Sequence, residues 1–381
     1  MSKKRILFMV NNLYGGGAEK IFQTLLRNLS LEKYDITVYS VVQCQVDFKY
    51  YPQNIKYKYI FGQVDENSGS FSKLLTKIIN KIKLNLYNKR NTEFFYKRFI
   101  KEEFDIEIAF IEGYATKIIS GSPNKKSKKI AWVHIDLMEN PWTEVAYQSL
   151  EEEKECYQKY DNILGVSEEV VKAFEKRMDI HDRVSVQYNP VDDIEINQKA
   201  KMEDIHYDHK TKNFVTIGRL VDQKGYDRLL HVVNTLKSQY EFCIRILGEG
   251  SDRERLEHYI KKNHLENYVQ LLGFQSNPYP YIKAADAFIC SSRSEGFSTV
   301  ATEALILQKP IFTTDCAGMK ELFGGYDCGI ICENSEEGLK HMLKEVLEKE
   351  DYKEYRQDIA QRSRFFTLQK RISEIEEIMN G

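Results

Sequence analysis

The sequence predicts an α/β protein of two successive domains, each a parallel sheet with helices on its faces. Three observations carry this. Short continuous apolar runs, such as Ile-Leu-Phe-Met-Val at 6–10, suit strands buried on both faces. A glycine loop follows that run, and a helical repeat follows the loop. The same order restarts after residue 210. A length of 381 residues also fits two domains at about 150 residues each.

Taken in order, residues 6–10 form the first strand and 11–17 a turn-rich loop. Ile21, Phe22, Leu25, Leu26 and Leu29 recur at helical spacing, and the β-branched segment 35–42 returns as a strand. This βαβ grammar implies parallel pairing. In the second half, 213–217 is a strand, 218–225 a loop, and Leu229, Leu230, Val233 and Leu236 mark a helix. Residues 242–247 form the next strand, and Ser251 with Glu254 fits a capping box opening a further helix. Strands follow at 268–272, 287–290, 310–313 and 329–332, with helical patterns between them. The polar stretch 191–212 reads as a linker between a first domain, 1–190, and a second, 213–365.

Composition removes several function classes. Lys and Arg total 55 against 57 Asp and Glu, so the chain lacks the basic excess of a nucleic-acid binder. No apolar stretch is long enough for a membrane span or a signal peptide, which places the protein in the cytoplasm. The seven cysteines form no C-x-x-C pair and the histidines no H-E-x-x-H spacing, so reduced thiols and no metal are expected.

Three loops between strand and helix can carry chemistry. Gly15-Gly16-Gly17 lets a backbone approach an anion at a helix N-terminus, although Lys20 stands where a dinucleotide fingerprint needs its third glycine. Gly218-Arg219 through Lys224-Gly225 places two cations in one glycine-bounded loop, where they can converge on a diphosphate. The third, Ser294-Glu295-Gly296-Phe297-Ser298-Thr299, precedes a helix containing Glu303. Two carboxylates flanking an anion site make sense if they bind hydroxyls. Each loop also has a plain reading: a tight turn, a solvated loop with incidental cations, or a solvent-facing Glu pair. After the apolar strand that contains Trp132 stand His134 and Asp136, while Glu112 ends another strand.

Together these residues resemble a family 4 retaining glycosyltransferase of the GT-B fold: two Rossmann-like domains facing each other across a cleft. The resemblance covers nearly the whole chain and is strongest over 214–347. It implies that Arg219 and Lys224 hold the donor diphosphate, Glu303 binds the ribose, and Glu295 lies against the transferred sugar. The backbone of Gly296, Phe297, Ser298 and Thr299 then holds sugar hydroxyls and phosphate oxygens, with Gly218 in the opposite loop. Gly16 and Gly17 match the close-approach loop of the first domain. His134 matches the residue that contacts the donor sugar, Phe274 the place where the base packs, and 188–192 the interdomain crossover. Apart from the resemblance, Glu112 at its strand end can line the acceptor pocket or simply face solvent, and it is read with Asp136 as acceptor-side. The resemblance also returns the last segment, 366–381, to the first domain as a helix.

The expected function is retaining transfer of one hexosyl or N-acetylhexosaminyl unit from a nucleotide-sugar, by default a UDP-sugar. The acceptor is a lipid-linked saccharide in capsule or exopolysaccharide assembly. Metal independence is expected because no D-x-D motif occurs and Arg219, Lys224 and a helix N-terminus can stabilise the leaving group. No cofactor is expected. A GT-B-like epimerase or phosphorylase, or a non-catalytic membrane-associated nucleotide-sugar binder, are the rival readings. Residues 71–100 add a partner. Leu74, Leu75, Ile78, Ile79, Ile82 and Leu86 share one helical face amid lysines and arginines, which suits an anionic membrane surface at the inner face of the cell membrane. A core-facing helix with a solvated cationic side is the alternative.

Overall fold

The computed structural model describes residues 3–13, 17–44, 51–64, 70–208 and 210–381. It divides into two compact units, Met1–Tyr188 with Ile372–Gly381, and Asn189–Arg371.

The first unit opens with β1 (Lys4–Val10), α1 (Gly17–Asn28), β2 (Tyr34–Val42) and β3 (Lys56–Phe61). Two helices follow, α2 (Ser70–Lys89) and α3 (Thr92–Phe99). Then come β4 (Ile106–Ala109), α4 (Tyr114–Ile119), β5 (Lys128–Val133), α5 (Leu150–Tyr157), β6 (Asn162–Gly165), α6 (Glu168–Met178) and β7 (Val184–Val186). All seven strands pair in parallel in the order β3-β2-β1-β4-β5-β6-β7. The apolar run of β1 is buried from Ile6 to Val10, as a central parallel strand requires. Its Phe8 ring meets Phe22 of α1 edge-on at 5.5 Å, and Phe22 meets Phe110 at 4.9 Å. Each such buried side chain contributes roughly 1.5–3 kcal/mol relative to exposure.

The second unit begins with α7 (Asp193–Lys199), a helix inside the stretch that reads as linker from its polarity. Asp192 caps it by accepting from the Glu195 N–H at 2.8 Å, and Ile196 is buried. One buried apolar side chain per two turns is too weak a periodicity to announce a helix. The unit continues with β8 (Lys212–Ile217), α8 (Tyr226–Leu236), β9 (Phe242–Leu247), α9 (Arg253–Lys262), β10 (Val269–Gly273) and α10 (Tyr279–Ala284). It closes with β11 (Ala287–Cys290), α11 (Thr299–Ile306), β12 (Ile311–Thr314), α12 (Met319–Phe323), β13 (Gly329–Cys332), α13 (Glu336–Glu348) and α14 (Arg356–Ser363). Its six strands are parallel in the order β10-β9-β8-β11-β12-β13.

The expected capping box at Ser251 does not form. The helix starts at Arg253, and its N-cap Asp252 makes no side-chain cap bond. Instead the Asp252 N–H donates to the Leu220 carbonyl at 2.9 Å, tying this turn to the 218–225 loop.

The last helix, α15 (Leu368–Asn380), starts in the second unit and ends in the first. There Glu376 pairs with Lys33 at 2.8 Å, and the Asn380 amide donates to the Tyr34 hydroxyl at 2.8 Å. Ile375 and Met379, both within this helix, are buried. In each sheet the strand order reverses once, between β1 and β4 and between β8 and β11. Loops leaving the carboxyl ends at such a reversal diverge, which opens a crevice for a ligand.

Candidate active site

The second unit's crevice is bounded by the loops after β8 and β11, and these form one stitched assembly. Lys224 Nζ donates to Glu295 Oε1 at 2.5 Å, and Ser292 Oγ donates to the same oxygen at 2.5 Å. Glu295 is buried and Lys224 is only slightly exposed. Burial works against the Lys224 charge, but the neighbouring Glu295 carboxylate more than offsets it and holds the ammonium above the ordinary lysine value. Gly218 packs against this cation: a Cβ there meets Lys224 Cε at 3.1 Å. Arg219, one residue on, is exposed.

Other side chains join the loops from behind. Arg228, in the first turn of α8, is buried and donates to the carbonyls of Ser291 (2.8 Å) and Ser292 (2.7 Å). Asp227 takes a two-pronged bond from Arg293 at 2.9 and 2.8 Å. Gln223 Nε2 donates to the Ser294 carbonyl, and Ser291 Oγ to the Lys224 carbonyl, both at 2.9 Å. Ser292, Asp227, Arg228 and Arg293 escape a reading by motif. Only the charged pair 227–228, abrupt at the start of an otherwise apolar helix, leaves a trace in the sequence.

Ser298 is the N-cap of α11, its hydroxyl accepting from the Ala301 N–H at 3.4 Å. Phe297 packs its ring against Phe366, with centroids 6.0 Å apart, and Gly296 and Phe297 directly precede the Ser298 cap and the first helical residue, Thr299. The helix dipole makes that end attractive to an anion. Glu303 is buried within the same helix. Phe274 follows β10, where Gly273 accepts from the Gly248 N–H at 2.8 Å, and its ring is 74% exposed.

In the first unit the corresponding loops follow β1, β4 and β5. Gly17 is the first residue of α1; Gly15 and Gly16 lie outside the described residues. His134 leaves the end of β5 and is partly buried. Its Nε2–H donates to the Phe110 carbonyl at 2.8 Å, which leaves Nδ1 as the acceptor of a neutral ring. The ring lies against Phe110 at 4.9 Å. Glu112 does not form an open wall: it is buried, accepting the His134 backbone N–H at 3.0 Å and the Trp142 indole N–H at 3.1 Å. It braces the turn that presents His134. Asp136 caps its own turn, accepting from the Met138 and Glu139 N–H groups at 2.8 and 3.0 Å. Trp142 carried no sequence signal.

Burial pushes the His134 pKa down from 6.5 to about 4. The folded state therefore binds fewer protons than the unfolded chain between those values. This group's stabilising contribution is complete above pH 6.5 and is lost as pH falls towards 4, by on the order of 3 kcal/mol at most. The melting temperature of the wild type is expected to fall faster than that of His134→Gln across this window, and in parallel above it. Parallel curves throughout argue against the burial of a neutral ring.

No group of three or more His, Cys, Asp or Glu is placed to hold a metal ion among the described residues. The seven cysteines are all free, and six are buried.

Comparison with known proteins adds four findings. Residues 197–365 match the family described as "Glycosyl transferases group 1". The chain is 36% identical over 177 residues to an N-acetylgalactosamine-N,N'-diacetylbacillosaminyl-diphospho-undecaprenol 4-alpha-N-acetylgalactosaminyltransferase of Campylobacter jejuni, covering 45% of this chain and 47% of that protein. It is 31% identical over 104 residues to the lipopolysaccharide core biosynthesis glycosyltransferase LpsD of Rhizobium meliloti, covering 27% and 29%. The chain thus spans about half or less of the length of these relatives. Its fold matches Anabaena HepE, solved with UDP and glucose, with a TM-score of 0.72, 18% identity and coverage of 99% and 100%.

Proposed function

Because residues 197–365 belong to the glycosyltransferase group 1 family and the chain has the GT-B fold, we propose that it transfers one sugar from a nucleotide-sugar to a lipid-linked saccharide. The observation that carries this reading is Lys224 beside Glu295 at the mouth of the β8–β11 crevice, next to the N-terminus of α11. That place suits a diphosphate. The ammonium and the helix end oppose the negative charge that builds as the sugar–phosphate bond breaks. Arg219 reaches the same anion from the rim of its loop.

A UDP-sugar is the donor of choice, carrying a hexose or N-acetylhexosamine, with HepE's UDP complexes in support. Glu303 takes the ribose hydroxyls, Phe274 stacks on the base, and the Gly296–Thr299 backbone holds sugar and phosphate oxygens. His134 Nδ1 accepts from a donor-sugar hydroxyl. The acceptor assignment is supported by the undecaprenol-linked substrate named for the Campylobacter relative. In this reading the reaction runs at the inner face of the cell membrane, in capsule or exopolysaccharide assembly.

Transfer proceeds with retention. The anomeric C–O bond to the diphosphate breaks while the acceptor oxygen bonds to the same face. The acceptor proton passes to the departing phosphate oxygen. Glu295 is not the nucleophile in this scheme; its carboxylate pairs with Lys224 and Ser292 through one oxygen. The charge is met by Arg219, Lys224 and α11, so no divalent ion is needed.

A thermal-shift panel of nucleotide-sugars with EDTA present tests the donor site. At a hundredfold excess over Kd, binding adds about 2.7 kcal/mol, or a rise of roughly 5–10 °C for a unit of this size. A UDP-sugar is expected to give that rise with or without EDTA. Silence across the panel overturns the reading, a rise lost on chelation overturns metal independence, and turnover without any acceptor points to an epimerase.

A further inference from the structure

α2 is oriented opposite to a core-facing helix. Its 20 residues include five lysines and no acid. Phe71, Leu74, Leu75, Ile78, Ile79 and Ile82 share one side at helical spacing, yet they are 41–79% exposed. The opposite side meets the protein. There Asn80 accepts from the Gly62 N–H at 3.1 Å and donates to the Gly62 carbonyl at 2.7 Å. Lys83 donates to the Ile60 carbonyl, and the Tyr87 hydroxyl donates to the Ala146 carbonyl at 2.9 Å. Polar bonds hold the helix on, and the apolar stripe is left outside.

Its place matters as much as its orientation. Gly62 directly follows β3, and Ala146 lies in the segment after β5, so α2 sits at the carboxyl edge of the first sheet. Glu112, His134 and Asp136 leave that same edge. The rest of the basic stretch behaves differently. α3 buries Phe95 and Tyr96 as an ordinary packed helix, and Lys125 and Lys126 precede β5, at the opposite edge.

We propose that α2 lies on an anionic phospholipid leaflet. Its stripe enters the acyl region while the exposed Lys77, Lys81 and Lys89 meet headgroup phosphates. Charge decides the occupant. A second copy docking stripe to stripe sets two lysine-rich, acid-free helices against each other, whereas an acidic leaflet supplies the opposite sign. No helix among the described residues is long and apolar enough to cross a membrane, so this is contact with a surface. The proposal deepens the acceptor assignment and rests on it in one respect: a lipid-borne saccharide at that leaflet meets the acceptor edge without leaving the bilayer. Vesicle binding itself needs no acceptor, so the two readings fail separately.

The test is flotation of the full chain with phosphatidylcholine vesicles, with and without phosphatidylglycerol. The wild type is expected to float with the anionic vesicles, and less so as salt is raised. Leu75→Asp/Ile78→Asp and Lys77→Glu/Lys81→Glu alter exposed positions only, so their melting temperatures should match the wild type. Each is expected to weaken binding at least about tenfold. The proposal is overturned if the wild type stays unbound, or if both variants float as it does. It is overturned equally if sedimentation shows a dimer that Leu75→Asp/Ile78→Asp dissociates while vesicles remain bare.

Discussion

Lys224→Met is expected to lower sugar transfer at least about a hundredfold, the scale of losing one well-placed electrostatic group around a developing negative charge. It should also destabilise the second unit, because Glu295 is buried and keeps only its Ser292 bond once the ammonium is gone. Removing one partner of such a pair costs about 3–5 kcal/mol. These two effects can be separated. In Lys224→Met/Glu295→Gln neither charge remains, so most of the stability should return while transfer stays low. Chemical denaturation and initial rates on the three proteins make the comparison. Transfer by Lys224→Met within about tenfold of wild type refutes the assigned role. A double variant no more stable than the single one refutes the pair as the source of the destabilisation.

Gly225→Ala carries the second large expected effect. Gly225 has φ of 63°, and a Cβ there lies 2.2 Å from the Ser291 carbonyl oxygen and 2.7 Å from Arg228 Nε. The left-handed backbone disfavours alanine by about 1 kcal/mol. The overlap must then be relieved by parting the loops, at roughly 1–3 kcal/mol more. The melting temperature should drop by roughly 5–15 °C, and transfer should fall as well, because Lys224 and Glu295 sit on the two loops being forced apart. Gly325→Ala is the control: its φ is also positive, at 84°, but a Cβ there meets nothing within 4 Å. Equal losses in both variants assign the effect to backbone strain alone and remove the argument from loop spacing.

Both expectations draw on residues that the sequence reveals unequally. Lys224 and Glu295 stand out because a cation in a glycine-bounded loop and a carboxylate before a helix are local patterns. Their mutual bond is not local, spanning 71 positions, and it converts two anion-site candidates into one ion pair. Ser292 is invisible beforehand, since any serine after a strand looks the same, and Arg228 shows only as half of a charged pair at a helix start. Glu112 shows the converse. Its position at a strand end was legible, but its inward turn towards His134 and Trp142 depends on groups 22 and 30 residues away.

The sequence by itself determined the two α/β units, their strand-loop-helix order and the loops at the carboxyl ends of the strands. Apolar runs, helical spacing and glycines act over a few residues, and the backbone obeys them wherever they occur. Only the tertiary structure decided that 193–199 is a helix, that Arg228 fastens two loops, and that α2 turns its lysine-flanked apolar stripe outward. A helical repeat establishes that a helix has an apolar side. Which side meets the body depends on the hydrogen-bond partners waiting there, and for α2 those are the carbonyls of Ile60, Gly62 and Ala146, which only a polar face can satisfy.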